Sequence, residues 1–239
     1  MLEILDYSVP NRTSRSDKKP QLIYVADPMC SWCYGFAPEI SRLKGSHDEL
    51  VDFKLVMGGL RTGSSDPMNA QLKEMVARHW EQVHDVSGQP FNYHFLHRND
   101  FVYDTEPACR AMVAVRHLKP KLEFEIFKDM QRQFYAEATD ITQLDSLLEI
   151  MLDFGINEDE FIQLFNSEKI KEETQDDFDL ALGMGVESFP TVLLMDDSEE
   201  LHLITKGYRT YEQMVDILDS YLPRHQHRMP YHPYEQAHM

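Results

Sequence analysis

The stretch Asp27–Pro38, with the sequence DPMCSWCYGFAP, decides most of what this chain can be. Cys30 and Cys33 are separated by two residues where a helical pattern begins. Such a pair can be half of a zinc site, a structural disulfide or a working dithiol. The rest of the sequence has to separate these three alternatives.

The segments around the two cysteines predict a strand, a helix and a second strand. Residues 21–27 (QLIYVAD) form a short apolar run with β-branched and aromatic side chains, which is typical of a buried strand. The helix extends from the cysteines to about Gly45, and residues 51–60 (VDFKLVMGGL) predict the second strand, which ends in a glycine pair. The cysteines are therefore expected at the first strand-to-helix turn of a βαβ unit.

A block of helices is predicted to follow. Apolar side chains recur at helical spacing in several segments between residues 60 and 168. Asp66 and Pro67 are expected to begin the first of these helices, as an N-cap and a proline at the first helical position. Asn157 is expected to cap a short later helix.

The pattern of a sheet resumes near the end of the chain. After a helix near 169–182, two apolar runs at 191–195 and 201–205 predict a hairpin, and a helix is expected over roughly 210–222. This predicts an α/β domain formed by residues 21–59 and 169–222, into which a helical domain, 60–168, is inserted. Residues 1–20 are interpreted as a leader and 223–239 as a C-terminal tail, in which His225, His227, His232 and His238 cluster.

Composition limits the class of function. The formal net charge of −18 argues against binding to nucleic acid, because phosphate binding needs a basic surface. We find no run of signal-peptide type and no apolar segment of membrane-spanning length, so a cytoplasmic protein is expected. In that reducing compartment a Cys-X-X-Cys pair is more often catalytic, redox-sensing or metal-binding than structural.

The number of possible ligands disfavours a metal. A structural zinc site uses four ligands, whereas this chain has one Cys-X-X-Cys pair and a lone Cys109. A static disulfide would close only a four-residue loop, which restrains the unfolded chain little. We therefore expect no metal, and the redox interpretation remains.

A dithiol at a helix start has a physical basis for reactivity. The free N–H groups and the positive end of the helix dipole stabilise an anion, so a thiolate at Cys30 is favoured there. Cys30, at the exposed tip of the helix, is predicted to be the nucleophile, and Cys33, one turn further in, the resolving thiol. Pro38 lies inside the predicted helix and should kink it.

These features resemble the DsbA-like branch of the thioredoxin superfamily over roughly residues 21–222, and DPMCSWCYGFAP is similar to its cytosolic FrnE-like members. The resemblance implies an α/β, thioredoxin-like fold with a large helical insertion between strand 2 and a hairpin that begins at a cis-proline, Pro190. It also implies that Cys30 and Cys33 are the redox pair and that Phe189 and Thr191 lie beside the substrate. The chain differs from the periplasmic members in the Ser31–Trp32 dipeptide between its cysteines, so strong oxidant behaviour is not carried over.

Three other residues each have two interpretations. Asp27 either orients a thiolate and moves protons near Cys33, or forms a turn before Pro28. Trp32 either contacts the substrate or packs within the protein. Cys109 is interpreted as a small buried apolar residue rather than as a third redox thiol.

The resulting functional hypothesis is a thiol–disulfide oxidoreductase or disulfide isomerase that acts on protein or small-molecule disulfides and thiols. No cofactor is expected, with glutathione as a candidate co-substrate, and neither nucleic acid nor a membrane is an expected partner. One alternative is a glutathione-dependent enzyme that resembles kappa-class transferases and hydroxychromene carboxylate isomerases. A second alternative is a binding or chaperone module in which the cysteine pair is vestigial.

Overall fold

A computed structural model describes residues 19–222 of the 239-residue chain. The predicted leader up to residue 18 and the predicted tail, residues 223–239, lie outside the described residues. The strands are Gln21–Ala26 (β1), Asp52–Met57 (β2), Thr191–Met195 (β3) and Leu201–Lys206 (β4). The α-helices of the described part are Ser31–Ser46 (α1), Ala70–Ser87 (α2), His94–His97 (α3), Glu106–Leu118 (α4), Glu123–Glu137 (α5), Leu144–Asp153 (α6), Glu158–Phe165 (α7), Glu168–Gly183 (α8) and Tyr211–Tyr221 (α9).

The four strands form one sheet in the order β2-β1-β3-β4. β1 and β2 are parallel and are joined by α1, whereas β3 is antiparallel to both of its neighbours, β1 and β4. Val25, next to the end of β1, pairs with Thr191 at the start of β3. This register brings the segment before β3 beside the turn that carries the two cysteines.

Alternation along β1 divides the core between the two faces of the sheet. Leu22 and Tyr24 belong to the large apolar cluster that α1 and α9 help to form, whereas Ile23 and Val25 belong to a smaller cluster completed by residues of α8 and β3. All four side chains are buried. Because successive side chains of a strand point to opposite faces, helices cover this sheet on both sides.

Helices α2 to α8 lie between β2 and β3 in the chain, and α2 to α7 fall in the segment predicted as the insertion. The large apolar cluster contains Phe127 and Met130 of α5 together with Leu22 and Tyr24 of β1. The rings of Tyr24 and Phe127 meet edge to face, with their centroids 6.0 Å apart. The inserted helices therefore share their core with the sheet.

The predicted start of the first inserted helix is wrong. Pro67 forms an isolated antiparallel bridge with Val102, and the Met68 N–H donates to the Phe101 carbonyl at 3.0 Å, so this segment is extended. α2 begins three residues after Pro67, with Asn69 as its N-cap. The prediction that Asn157 caps a helix is confirmed, because its side chain accepts a hydrogen bond from the Glu160 N–H at 3.0 Å.

Candidate active site

Cys30 occupies the N-cap position of α1. Its Sγ accepts a hydrogen bond from the backbone N–H of Cys33 at 3.4 Å. The first N–H groups of a helix have no partner within the helix, so a side chain at the N-cap normally satisfies one of them. Here a sulfur takes that place, and the same N–H would stabilise a negative charge on it.

Cys33 lies one turn deeper and is fully buried. Burial raises the pKa of its thiol well above the usual value, and the hydrogen bond and charge of Cys30 raise it further. All three cysteines, Cys109 included, are free in this structure. The arrangement is a reduced dithiol whose inner member is held as a thiol.

A cavity of about 340 Å³ opens beside Cys30, which is itself only 4% exposed. The expectation that Cys30 lies at an exposed helix tip is therefore wrong, because helix α2 and the segment before β3 form walls around it. The cavity is lined on one side by Trp32 of α1 and Tyr103, and on the α2 side by apolar residues and one histidine: Leu72, Met75, Val76, His79 and Trp80. Leu60 and Arg61, from the segment after β2, lie at the same cavity.

The segment before β3 closes the other side. The Phe189–Pro190 peptide bond is cis, as expected, and Pro190 is buried. The Cys30 thiol donates to the Phe189 carbonyl at an Sγ–O distance of 3.7 Å. Phe189 lines the cavity, together with Glu187 and Ser188.

Thr191 does not line this cavity. Its side chain is buried and its hydroxyl donates to the Ser188 carbonyl at 2.7 Å. The hydroxyl is thus used within the protein, where it holds the turn that precedes β3.

A thioredoxin family model matches residues 23–216. The chain belongs to this thioredoxin family. The match includes the dithiol turn, the inserted helices and β3 with β4, so it covers all the parts of the candidate site. The structure has the DsbA-like arrangement, a thioredoxin-like sheet interrupted by helices between β2 and β3.

Two solved structures carry the same arrangement. A candidate protein disulfide isomerase from Nitrosomonas europaea is 36% identical, with a TM-score of 0.79, over 85% of this chain and 97% of that one. The cytosolic disulfide reductase DsbM from Pseudomonas aeruginosa is 27% identical, with a TM-score of 0.67, over 77% of this chain and 89% of that one. DsbM has also been solved with glutathione. The fold therefore supports a thiol–disulfide oxidoreductase role for this thioredoxin-family chain.

A curated relative has a different kind of description. The ClpXP adapter protein SpxH of Bacillus subtilis is 24% identical over 204 residues, which are 84% of this chain and 67% of that protein. The name of this relative gives a partner, ClpXP, and no reaction.

Asp27 lies beneath the dithiol turn and is fully buried. Its carboxylate accepts hydrogen bonds from the backbone N–H of Met29 at 2.8 Å, the N–H of Leu60 at 2.7 Å and the thiol of Cys109 at 3.4 Å. The bond to Met29 is the turn that one interpretation predicted. The other two bonds join the turn to the segment after β2 and to α4.

The remaining predicted residues are Trp32, Cys109 and Pro38. Trp32 is half-buried and its ring lies 6.4 Å from that of Tyr208, as the packing interpretation expects. It also lines the cavity, and its contact with a substrate stays a prediction. Cys109 is fully buried, as the apolar interpretation expects, although its thiol is bonded to Asp27. Pro38 lies inside α1 and is exposed.

The sequence did not predict Tyr103 or the α2 residues as parts of the site; those α2 residues are called the α2 wall of the cavity. Met75 and Val76 follow a helical stripe that predicts only burial, yet Met75 is exposed at the cavity. The Tyr103 hydroxyl donates to the Met29 carbonyl at 2.5 Å, within the dithiol turn. Tyr103 lies 73 residues after Cys30, and no local sequence pattern indicates that it contacts the dithiol turn.

Two further observations concern the described residues as a whole. None of the helices between residues 19 and 222 combines the length and the apolar character needed to span a membrane. In the same range, the group with three possible metal ligands close together is Asp196, Glu200 and His202, at the turn between β3 and β4. That turn lies at the end of β3 remote from the dithiol.

Proposed function

We propose that this chain is a cytosolic thiol–disulfide oxidoreductase in which Cys30 is the nucleophile and Cys33 the resolving thiol. The observation that carries the proposal is the position of the Cys30 sulfur. It caps α1, borders the cavity and contacts the Phe189 carbonyl, whereas Cys33 lies buried behind it.

The first step is an attack of the Cys30 thiolate on one sulfur of a substrate disulfide. The Cys30–substrate S–S bond forms, the substrate S–S bond breaks, and one substrate sulfur leaves as a thiolate. The Cys33 N–H donates to Cys30 Sγ at 3.4 Å and so holds the attacking sulfur at the start of α1.

The second step releases the substrate. A Cys33 thiolate attacks Cys30 Sγ, the bond to the substrate breaks, and the second substrate thiol departs, leaving a Cys30–Cys33 disulfide. Burial and the neighbouring Cys30 sulfur raise the pKa of Cys33 in the reduced protein. Once Cys30 is held in a mixed disulfide its negative charge is gone, so that part of the rise disappears when Cys33 has to react.

Glutathione is the proposed electron donor. Two glutathione molecules would reduce the Cys30–Cys33 disulfide and leave as glutathione disulfide, which balances the two electrons given to the substrate. The likeness to DsbM, solved with glutathione, supports this choice. Arg61 and His79 at the cavity are suited to the carboxylates of that peptide.

Single cysteine variants test the mechanism. Cys30→Ser should abolish glutathione-dependent reduction of a protein disulfide, because the nucleophile is lost. Cys33→Ser should instead accumulate a mixed disulfide, seen as a covalent adduct by mass spectrometry under non-reducing conditions. The double variant Cys30→Ser/Cys33→Ser is the blank. A Cys30→Ser protein that keeps its activity, or a Cys33→Ser protein that loses activity without any adduct, would reverse or refute the assignment.

A second candidate function is that of a protein-binding adapter, which the likeness to SpxH favours. Leu60 and Met75 are exposed apolar side chains at the cavity, where a protein partner could make contact. The same variants separate the two functions. Binding of a partner that persists undiminished in the Cys30→Ser/Cys33→Ser protein belongs to an adapter, whereas a mixed disulfide with Cys33→Ser belongs to the oxidoreductase.

A further inference from the structure

The ring of Phe189 rests on the backbone of Gly58, the first residue after β2. A Cβ atom built on Gly58 would overlap Cε1, Cζ and Cδ1 of Phe189, the last of these at 2.8 Å. The Gly58 N–H donates to the Ala26 carbonyl at 2.8 Å, so the sheet holds this residue in place. Any side chain at position 58 would therefore have to displace the ring.

Position 58 needs a glycine because there is no room for a side chain, and not because of its backbone conformation. Gly59 has a φ of +64°, in the region that favours glycine, whereas Gly58 is not among the glycines with positive φ. An alanine can adopt the backbone conformation of Gly58. The three heavy atoms nearest to its methyl group would all belong to Phe189, so the substitution tests that contact.

Phe189 connects this contact to the reactive sulfur. Its ring lies on Gly58, and its carbonyl accepts the hydrogen bond from the Cys30 thiol at 3.7 Å. We propose that Gly58 is a positioning residue for the dithiol: by having no side chain, it lets Phe189 settle at the depth that places its carbonyl on Cys30. The inference rests on the proposed function and extends it to a residue outside the Cys-X-X-Cys pair.

Displacement of Phe189 should change the redox equilibrium of the dithiol. Its carbonyl accepts a hydrogen bond from Cys30 only when Cys30 is a thiol, so the contact stabilises the reduced form. In Gly58→Ala the equilibrium with glutathione should shift toward the oxidised protein by at least threefold, about 14 mV for a two-electron couple.

Gly45→Ala is the matched control. A Cβ on Gly45, in the last turn of α1, meets no heavy atom within 4 Å, and this glycine also lacks a positive φ. The potential of Gly45→Ala should equal that of the wild-type chain. A Gly58→Ala protein that folds and keeps the wild-type potential would overturn the proposal.

A second-site variant separates positioning from loss of the fold. Phe189→Leu has no Cε1 or Cζ, the two ring atoms nearest to the built Cβ. When Gly58→Ala is introduced into Phe189→Leu, the equilibrium constant of the dithiol with glutathione should change by less than 1.5-fold. If Gly58→Ala alone does not fold, this comparison still decides: a double variant that folds with the potential of Phe189→Leu supports the proposal, and one that is unfolded or shifted threefold overturns it.

The failure of this inference and that of the proposed function are distinguishable. The potential is a property of the Cys30–Cys33 pair and can be measured against glutathione even if no protein disulfide is reduced. A wild-type chain without exchange activity would end the proposed function, whereas an unchanged potential in Gly58→Ala would end this inference alone.

Discussion

Asp27 is the residue where three parts of the chain meet beneath the dithiol. Its carboxylate bonds to Met29 two residues later, to Leu60 33 residues later and to Cys109 82 residues later. The nearby bond was predictable, because an aspartate before a proline commonly forms such a turn. The two distant bonds were not, because no local pattern records which later segments pack beneath a turn.

The titration of Asp27 should be visible in the stability of the protein. Burial raises the pKa of its carboxyl, although the hydrogen bonds from Leu60 and Met29 oppose the rise. A folded-state pKa above the unfolded one means that the folded chain binds the extra proton, so stability declines as the pH rises between the two values.

We therefore expect the free energy of unfolding of the wild-type chain, minus that of Asp27→Asn, to fall as the pH rises above about 4. Within the window that ends at the raised pKa, the slope should be at most about 1.4 kcal/mol per pH unit. Urea denaturation of both proteins over a pH series measures it. The altered hydrogen bonds of the substituted amide side chain add a constant offset, whereas a difference that is flat or increases with pH would contradict the prediction.

Among the elements, β2 shows how the edge of the sheet is joined to the helices. Arg116 of α4 donates to both carboxylate oxygens of Asp177 on α8, at 3.0 and 2.7 Å, and to the Leu55 carbonyl of β2 at 3.1 Å. Asp177 in turn accepts the Met57 N–H at 2.9 Å. Polar groups on the outer side of an edge strand are thus paired by two helices.

Removal of Asp177 should be costly. Asp177→Ala leaves the buried Met57 N–H without its acceptor. It also removes one of the two carboxylates on Arg116, which keeps its ion pair with Glu123 at 2.9 Å. We therefore expect a loss of about 2 kcal/mol in the free energy of unfolding. Arg132→Ala is the control, because Arg132 forms an exposed pair with Asp129 on α5, worth less than about 1 kcal/mol. Urea denaturation measures both. An equal loss of unfolding free energy in the two variants would show that the hydrogen bonds of Asp177 to Arg116 and Met57 do not stabilise β2.

The elements themselves were largely predictable where a long periodic pattern exists. β1, the hairpin of β3 and β4, and the helix capped by Asn157 all follow from apolar spacing and capping residues. Helix α3 was missed because four residues are too few to show a period. The extended segment at Pro67 was misread because its partner, Val102, lies 35 residues away, and a tertiary bridge outweighed the local capping signal.

At the level of the whole molecule, the sequence divides the chain into a sheet domain and an inserted helical domain, 60–168. That these two parts fold independently of each other remains a prediction. The sequence can show where helices begin, but it cannot show whether their apolar faces pack on one another or on the sheet. In the structure one apolar cluster contains Tyr24 of β1, Ile40 of α1 and Phe127 of α5. A core shared in this way makes the two parts unlike separate folding units.

The two tryptophans of the chain allow us to measure whether the sheet and the inserted helices unfold together. Trp32 lies in α1, next to the sheet, and Trp80 lies in α2, where it packs on Phe91 and Tyr135 of the inserted segment. In Trp80→Phe the fluorescence reports the environment of Trp32, and in Trp32→Phe it reports that of Trp80. Within each variant we expect the urea midpoint by fluorescence to equal the midpoint by far-ultraviolet circular dichroism, because a continuous core unfolds as one cooperative unit. Comparison inside each variant removes the destabilisation that the loss of buried Trp80 itself causes. If Trp32 instead reports a transition separate from the loss of helical signal, the inserted helices unfold independently and the α2 wall of the cavity can open while the dithiol turn stays folded.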